Sequence, residues 1–157
     1  MSKYLLIDTR EKPKATETIL KQFEEAGISY TRTKLLFGDY MDYNRPDLVI
    51  DRKQNVLELA KNVTTDRARF VAELERAKAA GAKLVILVEQ NRFKDRDEWK
   101  QIHDVSDLML WSSPHTKVRG ERVFRSVSGL IAKYDISVCF CDKRVTGRKI
   151  LEIIYGK

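Results

Sequence analysis

The chain has few of the residues that build disulfide frameworks and zinc sites, since its 157 residues include two cysteines and two histidines. Cys139 and Cys141 lie two apart on a predicted strand, where their side chains share one face and cannot easily bridge each other. His103 and His115 are far from both cysteines in the sequence. We therefore expect neither a disulfide nor a zinc site, and we predict buried free thiols in a reducing cytosol.

Long apolar runs are also missing. No run approaches the ~20 residues that a membrane-spanning helix needs. The basic N-terminus is followed by four apolar residues, which predict a strand and not a secretion signal. We accordingly expect no membrane partner and a cytoplasmic location.

Charge, by contrast, is abundant. Lys and Arg number 30 against 23 acids, which gives a net charge of +7. Such a basic surplus attracts polyanions, nucleic acid before an anionic membrane. Hydrophobic residues make up 43% of the chain, a share typical of globular proteins. A chain of this length can bury a proper core, so we expect residues 1–157 to form a single domain.

Alternating strand and helix patterns predict an α/β fold, with a mixed central sheet and helices on both faces in three layers. The predicted strands cover 3–9, 28–36, 39–43, 47–53, 83–90 and 136–142, and the predicted helices cover 15–27, 55–63, 64–81, 104–112, 121–135 and 146–157. The second, third and fourth strands follow one another across tight turns, so a meander is expected. Residues 91–103 are predicted to be a charged surface excursion, and 113–120 a basic loop.

The predicted strand 47–53 ends in three consecutive charges, Asp51, Arg52 and Lys53. Because side chains alternate along a strand, Asp51 and Lys53 point to one face, ~6.6 Å apart, and Arg52 points to the other. Asp39 lies in a Gly-Asp turn that leads into the adjacent strand, so it can approach Asp51. A buried charge is costly unless it is paired or bound to a metal. This strand end is therefore either the solvated edge of the sheet or a functional site.

Acids and a lysine in this arrangement suit phosphodiester chemistry. Carboxylate oxygens hold hard cations such as Mg²⁺, and the bound metal polarises a phosphate and lowers the pKa of a water molecule. An ammonium group can position that water or stabilise charge on the phosphate. Asp8, Arg10 and Glu11 end another apolar run and place further acids at a strand terminus. The pattern is typical of metal-dependent nucleases, although the triplet taken alone is equally typical of a solvated strand end.

The helix predicted at 64–81 supplies basic residues close to this strand end. Its apolar stripe faces the sheet at 100° per residue, and Arg67 falls within that arc. Arg69 and Arg76 share the opposite side, where a solvated face is the alternative to a phosphate contact. We predict nucleic-acid contacts at these three arginines and at Lys117 and Arg119, for which a plain mobile loop is the alternative.

Five segments in order resemble the nuclease domain of the XPF-type structure-selective endonucleases: "IDTRE", "GDY", "VIDRK", "DRARFVAELERA" and "KLVILVE". The signature of that family is Gly-Asp, a spacer, Glu-Arg-Lys, three residues and Asp. Gly38 and Asp39 match its first part, and Asp51 to Lys53 match its second, with Asp in place of Glu. Leu57 stands at the position of the final Asp, and Glu58 follows it, so whether Glu58 substitutes is open.

The resemblance implies a restriction-endonuclease-like fold, dependence on Mg²⁺ or Mn²⁺, and cutting of branched DNA such as flaps, forks or Holliday junctions. It implies Asp39 and Asp51 as the main metal ligands, Glu11 as a further ligand with Asp8 nearby, and Lys53 as the group that orients the attacking water. Arg10, Arg52 and Arg67 would hold phosphate or neighbouring carboxylates.

The resemblance also suggests a setting. Eukaryotic members add a tandem helix-hairpin-helix module, for which a chain of this length is too short, so we expect a stand-alone phage or bacterial form acting in DNA recombination, repair or phage replication. Family domains dimerise through their nuclease faces, which makes a homodimer compatible with the resemblance. Two alternatives stay open: an inactive DNA-binding module with a nuclease fold, and a general or restriction-type nuclease.

Overall fold

A computed structural model describes residues 2–156, within which the chain forms eight strands and five α-helices. The strands are β1 (Tyr4–Asp8), β2 (Ser29–Thr33), β3 (Tyr40–Asp42), β4 (Arg45–Lys53), β5 (Lys83–Val88), β6 (Arg92–Asp95), β7 (Glu98–Gln101) and β8 (Ser137–Phe140). The helices are α1 (Pro13–Glu25), α2 (Val56–Val63), α3 (Arg67–Ala79), α4 (Gly120–Tyr134) and α5 (Thr146–Tyr155), with short 3-10 helices at Val105–Leu110 and Lys143–Val145. The predicted last helix ran on to residue 157, which lies outside the described residues.

Six strands form one mixed sheet in the order β2-β1-β3-β4-β5-β8. β1 and β2 are parallel, as are β4, β5 and β8, whereas β3 runs antiparallel to both of its neighbours. Side chains alternate between two cores, one on the side of α2, α3 and α4 and the other on the side of α1 and α5. The predicted three-layer α/β fold with a central mixed sheet is confirmed.

One detail of the predicted topology is wrong, and a second is incomplete. β2 does not join a meander, because α1 links it to β1 as a parallel β-α-β unit and leaves β3 to pair between β1 and β4. The expected surface excursion at 91–103 contains a hairpin of β6 and β7. Phe93 anchors that hairpin in the core at 4% exposure. The many charged residues around Phe93 obscured the strand pattern in the sequence.

Both cysteines are free, as predicted, with Cys141 buried and Cys139 half-buried. Burial raises the pKa of Cys141 to about 11, so this thiol is protonated and of low nucleophilicity at neutral pH. Between residues 2 and 156, none of the helices combines the length and the apolar character needed to cross a bilayer.

The candidate site lies at one edge of the sheet, where β1, β4, β5 and β8 end and β3 begins. The backbone N–H of Asp39 donates to the carbonyl of Ile50 at 2.7 Å, and the N–H of Asp8 donates to the carbonyl of Asp39 at 2.9 Å. Gly38 has φ +71°, and a Cβ atom there would lie 2.3 Å from Cγ1 of Val49. Only glycine therefore lets this turn press Asp39 against β4.

We expect Gly38→Ala to lower the free energy of unfolding by about 2–4 kcal/mol, because it combines left-handed backbone strain with overpacking against Val49. Gly27→Ala is the matched control, since Gly27 has φ +70° with nothing within 4 Å of an added Cβ, and it should cost about 1–2 kcal/mol. Urea unfolding measures both values. Equal losses in the two variants would contradict the close approach at Gly38.

Candidate active site

Three carboxyl groups converge at the end of β4. Asp39 stands just before β3, Asp51 lies near the end of β4, and Glu73 reaches in from α3. The carboxyl group of Asp51 is within hydrogen-bonding reach of both Asp39 and Glu73. Backbone N–H groups bind one oxygen of each carboxyl group that flanks Asp51. The N–H of Arg52 donates to Asp39 Oδ2 at 2.8 Å, and the N–H of Gly38 donates to Glu73 Oε2 at 3.0 Å.

Burial and mutual repulsion make these carboxyl groups weak acids. Burial raises the pKa of Asp39 to about 6, and the charge of Glu11 adds to the rise. Burial raises the pKa of Asp51 to about 7, partly opposed by Lys53. Burial and the neighbouring Asp51 raise the pKa of Glu73 to about 7. Three adjacent carboxylates cannot all be ionised without a compensating charge, so the cluster holds protons or a cation.

Lys53 supplies part of that compensating charge. Its Nζ lies 3.2 Å from Asp51 Oδ2 and 5.1 Å from the centroid of the Phe70 ring. Burial would lower the pKa of Lys53, but the charges of Asp51 and Glu73 outweigh that effect and raise the pKa above its usual value. Asp51 Oδ2 is a buried oxygen that accepts no hydrogen bond and has the ion pair with Lys53 as its polar contact. Lys53 is therefore a fixed ammonium group beside an oxygen with free acceptor capacity.

Arg52 points to the opposite face of β4 and meets two acids there. Its guanidinium donates to both oxygens of Glu11, at 2.7 and 3.0 Å, and also contacts Glu89. The hydroxyl of Tyr40 donates to Glu11 Oε1 at 2.6 Å. Arg52 and Glu11 are buried at 8% and 7% exposure, so this charged set fixes the end of β4. Both oxygens of Glu11 already accept hydrogen bonds, and its predicted role as a metal ligand stays a prediction.

Asp8 and Arg10 form a separate pair at the end of β1. Asp8 is fully buried, and its carboxylate accepts from the backbone N–H and the guanidinium of Arg10 and from the N–H of Leu35 at 2.8 Å. Burial would raise the pKa of Asp8, but these hydrogen bonds outweigh it and lower the pKa below the ordinary value. Asp8 thus anchors the loop that leads to Gly38, while the exposed side chain of Arg10 lines the cleft.

The carboxyl cluster opens into a cleft of about 320 Å³ with a basic rim formed by Arg10, Lys12, Arg69 and Arg76. Arg69, Glu73 and Arg76 share one side of α3, because they are four and three residues apart. Nε of Arg76 also donates to the carbonyl of Leu36 at 3.1 Å. The side of α3 that carries Arg69 and Arg76 is therefore the side that borders the site.

Arg67 does not line this cleft, although it falls within the predicted arc of the helix that faces the sheet. It is exposed and donates to the carbonyl of Val63 at 3.4 Å, because α3 begins at this residue and a helical side chain leans back toward the preceding turn. Lys117 and Arg119 line a separate depression beside Trp111. Nucleic-acid contacts at these three basic residues stay predictions.

Glu58 lines the cleft but its carboxylate is engaged in capping α2. Its Oε1 accepts from the N–H of Gln54 at 2.7 Å, and its own N–H donates to Asn55 Oδ1 at 2.8 Å. Leu57, at the last signature position, packs against the core. Glu73 is the acid that sequence reasoning missed. Its helical spacing from Arg69 and Arg76 was the available signal.

The architecture and the site are those of a restriction-endonuclease-like α/β domain. Such a domain carries acids and a lysine at the end of a central strand. A sequence model of the ERCC4 domain matches residues 7–151. The chain therefore belongs to the ERCC4 domain family, and the resemblance to XPF-type nuclease domains is confirmed. A comparison with curated protein sequences finds no match.

Solved structures show the same fold. XPF from Aeropyrum pernix superimposes with a TM-score of 0.63 and 16% identity, over 94% of this chain and 61% of that chain. A structure described as XPF from Aeropyrum pernix in complex with DNA gives a TM-score of 0.67 and 18% identity, over 96% of this chain and 62% of that chain. This chain thus corresponds to about three fifths of the length of the archaeal proteins.

The carboxyl cluster should make stability depend on pH. The pKa values of Asp39, Asp51 and Glu73 are raised from 3.8, 3.8 and 4.5 to about 6, about 7 and about 7, so the folded chain binds protons more tightly than the unfolded chain. The free energy of unfolding should fall as pH rises from about 4 to about 7. Urea unfolding in EDTA at about pH 5.5 and about pH 8 measures this difference.

Asp51→Asn should flatten that dependence, since it removes one raised pKa and relieves the repulsion on its neighbours. Mg²⁺ should stabilise the wild-type protein more at about pH 8 than at about pH 5.5, because ligands must be deprotonated to bind a metal. Stability that rises across this interval in the wild-type protein would contradict the raised pKa values.

Proposed function

We propose that this protein is a divalent-metal-dependent endonuclease that hydrolyses phosphodiester bonds in branched DNA. The observation that carries the proposal is the convergence of Asp39, Asp51 and Glu73 with the ammonium group of Lys53 at the floor of a basic cleft. Membership of the ERCC4 domain family supports it. A role in DNA recombination, repair or phage replication, in the bacterial or phage-infected cytoplasm, and the predicted homodimer belong to the same proposal and rest on the sequence alone.

The residues present fit a divalent cation. Asp51 Oδ2 is buried without a donor, and the cluster needs positive charge to ionise fully. Within residues 2–156, no three His, Cys, Asp or Glu side chains are spaced as a complete metal-binding set. A partial set suits Mg²⁺, which is usually bound by one or two carboxylates and keeps several waters. Asp39 and Asp51 would hold Mg²⁺ or Mn²⁺, and Glu73 would orient Asp51.

When bound, the cation would supply Lewis-acid activation of a phosphate oxygen and a more acidic water. The other parts of the mechanism belong to the chain. Lys53 presents a preorganised ammonium group where negative charge grows on the phosphate, and it costs no reorganisation because burial and Asp51 hold it. Arg69 and Arg76 bind the flanking phosphates, which sets the register of the DNA without reading its sequence. Arg52 supports the site indirectly by fixing the end of β4, because its ion pairs with Glu11 and Glu89 keep it buried.

Cleavage assays test this proposal with labelled single strand, linear duplex, flap, fork and four-way junction in Mg²⁺ or Mn²⁺. Branched substrates should be cut faster than linear duplex. Asp51→Asn and Lys53→Met should each lower the cleavage rate by about 100-fold or more while DNA binding in EDTA persists. Asp47→Asn is the matched control, because Asp47 lies on the same strand but is exposed, and it should cut normally.

The two alternatives give different results in the same assays. Binding of DNA without cleavage in either metal would favour an inactive DNA-binding module. Equal cutting of linear duplex and branched DNA would favour a general or restriction-type nuclease.

Glu73 provides a separate test of the cluster. Glu73→Gln should raise the Mg²⁺ concentration that gives half-maximal cleavage by roughly 10-fold or more, as loss of a metal-orienting carboxylate does elsewhere. Glu75→Gln is the control, since Glu75 is on the same helix but contacts Tyr134. Unchanged Mg²⁺ dependence in Glu73→Gln would remove Glu73 from the metal site.

A further inference from the structure

The hairpin of β6 and β7 presents an exposed indole in contact with two basic side chains. Lys94 pairs directly with Trp99 across the hairpin, and Arg92 is two residues from Lys94 on the same face. Phe93 points the opposite way into the core. Trp99 is 54% exposed, whereas Trp111 is 3% exposed. The hairpin therefore uses one face for anchoring and keeps a large aromatic side chain on the other.

The basic groups contact the indole ring itself. The guanidinium carbon of Arg92 lies 4.5 Å from the ring centroid of Trp99, and Nζ of Lys94 lies 5.9 Å from it. Both distances are within the range of cation–π interactions. A tryptophan held in this way by basic side chains, with more than half of its surface open, combines the two features that bind unpaired bases: an aromatic stacking surface and positive charge for the backbone.

The base of the hairpin is tied to the rest of the fold. Oε1 of Gln90 accepts from the N–H of Val56 at the start of α2 at 2.9 Å, and Nε2 of Gln90 donates to the carbonyl of Arg92 at 2.9 Å. The N–H of Ile102 donates to the carbonyl of Asn91 at 2.7 Å. Because both strands are fixed at their root, Trp99 has a defined position relative to the end of β5.

Three depressions that share lining residues form a row from the cleft to this hairpin, and the two beyond the cleft are called the groove here. Arg52 and Gln54 line both the cleft and an adjoining depression. Lys143 and Arg144 line that depression and also the next one, which contains Trp99. The groove thus follows the ends of β4, β5 and β8 along the edge of the sheet.

The charge of the groove suits a polyanion. Basic side chains outnumber acidic ones along it, with Arg52, Arg92, Lys143 and Arg144 against Glu89 and Asp142. Among residues 2–156, Lys143 forms no ion pair, and it adds positive charge between the cleft and Trp99. A strand of nucleic acid leaving the cleft along this edge would meet basic groups first and the aromatic surface next.

We propose that Trp99 is a stacking platform for an unpaired base of a DNA single strand that leaves the catalytic cleft along this groove. This inference rests on the proposed function and specifies the part of the branched substrate that the hairpin binds, a single-stranded arm. Bases inside a duplex are already stacked on their neighbours, whereas each base of a single strand offers a free face to an indole. The platform should therefore favour single strands and tolerate any sequence.

Binding in EDTA tests the platform independently of cleavage. Fluorescence anisotropy of labelled oligo-dT and of a linear duplex gives the dissociation constant of each at one fixed salt concentration. Trp99→Ala should weaken oligo-dT binding by about 10-fold and leave duplex binding unchanged, whereas Trp99→Phe should retain most of the affinity. Tyr43→Ala is the matched control, because Tyr43 is 65% exposed at the opposite end of the sheet, and it should bind like the wild type.

Intrinsic fluorescence provides a second readout, which does not depend on shortening the side chain of Trp99 to alanine. Oligo-dT should quench the tryptophan fluorescence of the wild-type protein and leave that of Trp99→Phe unchanged, since the remaining Trp111 is buried. Unchanged oligo-dT affinity in Trp99→Ala would overturn the proposal. A contact with another protein would then be the better explanation of the exposed Trp99. Equal weakening of duplex and single strand would overturn it as well. Failure of the proposed nuclease activity would show separately, as absent cleavage with this binding pattern intact.

Discussion

The packing of three carboxyl groups, those of Asp39, Asp51 and Glu73, is the interaction on which the site depends. Bringing them together costs free energy, because burial penalises each charge and the charges repel one another. Lys53 and two backbone N–H groups offset part of that cost. The remainder appears as raised pKa values for Asp39 and Glu73. A cluster of buried carboxyl groups at the floor of an open cleft is suited to binding a cation. The cation would neutralise the cluster and would gain affinity because the carboxyl groups are already in place.

The end of β4 carries its charges for two different physical reasons. On one face, Asp51 and Lys53 line the cleft and would provide the proposed chemistry. On the other face, Arg52 is locked between Glu11 and Glu89 and keeps the strand end rigid. A buried charge pair of this kind contributes little net stability compared with apolar packing. Its value here is geometric, since a shift of β4 would separate the carboxyl groups on the opposite face.

The edge of the sheet brings the remaining functional features together. Parallel strands end at the same edge, so the cleft, the groove beside Lys143 and the hairpin that carries Trp99 lie in sequence along it. The residues that line the cleft lie within the segment that matches the ERCC4 domain. The hairpin extends the same surface outward, which relates the proposed chemistry to the form of the nucleic acid that would occupy it.

The sequence by itself determined the opposite faces of Asp51 and Arg52 and the Gly38 turn, because strand alternation and a left-handed glycine are local properties. The order of the family motifs also predicted the fold. Only the tertiary structure decided that β2 is an outermost strand of the sheet and that Glu73 joins the acids. It also decided that α3 turns Arg69 and Arg76 toward the cleft. The rotation of a helix follows from packing of its whole apolar face against a distant sheet, and strand order follows from pairing between distant segments, which local patterns do not encode.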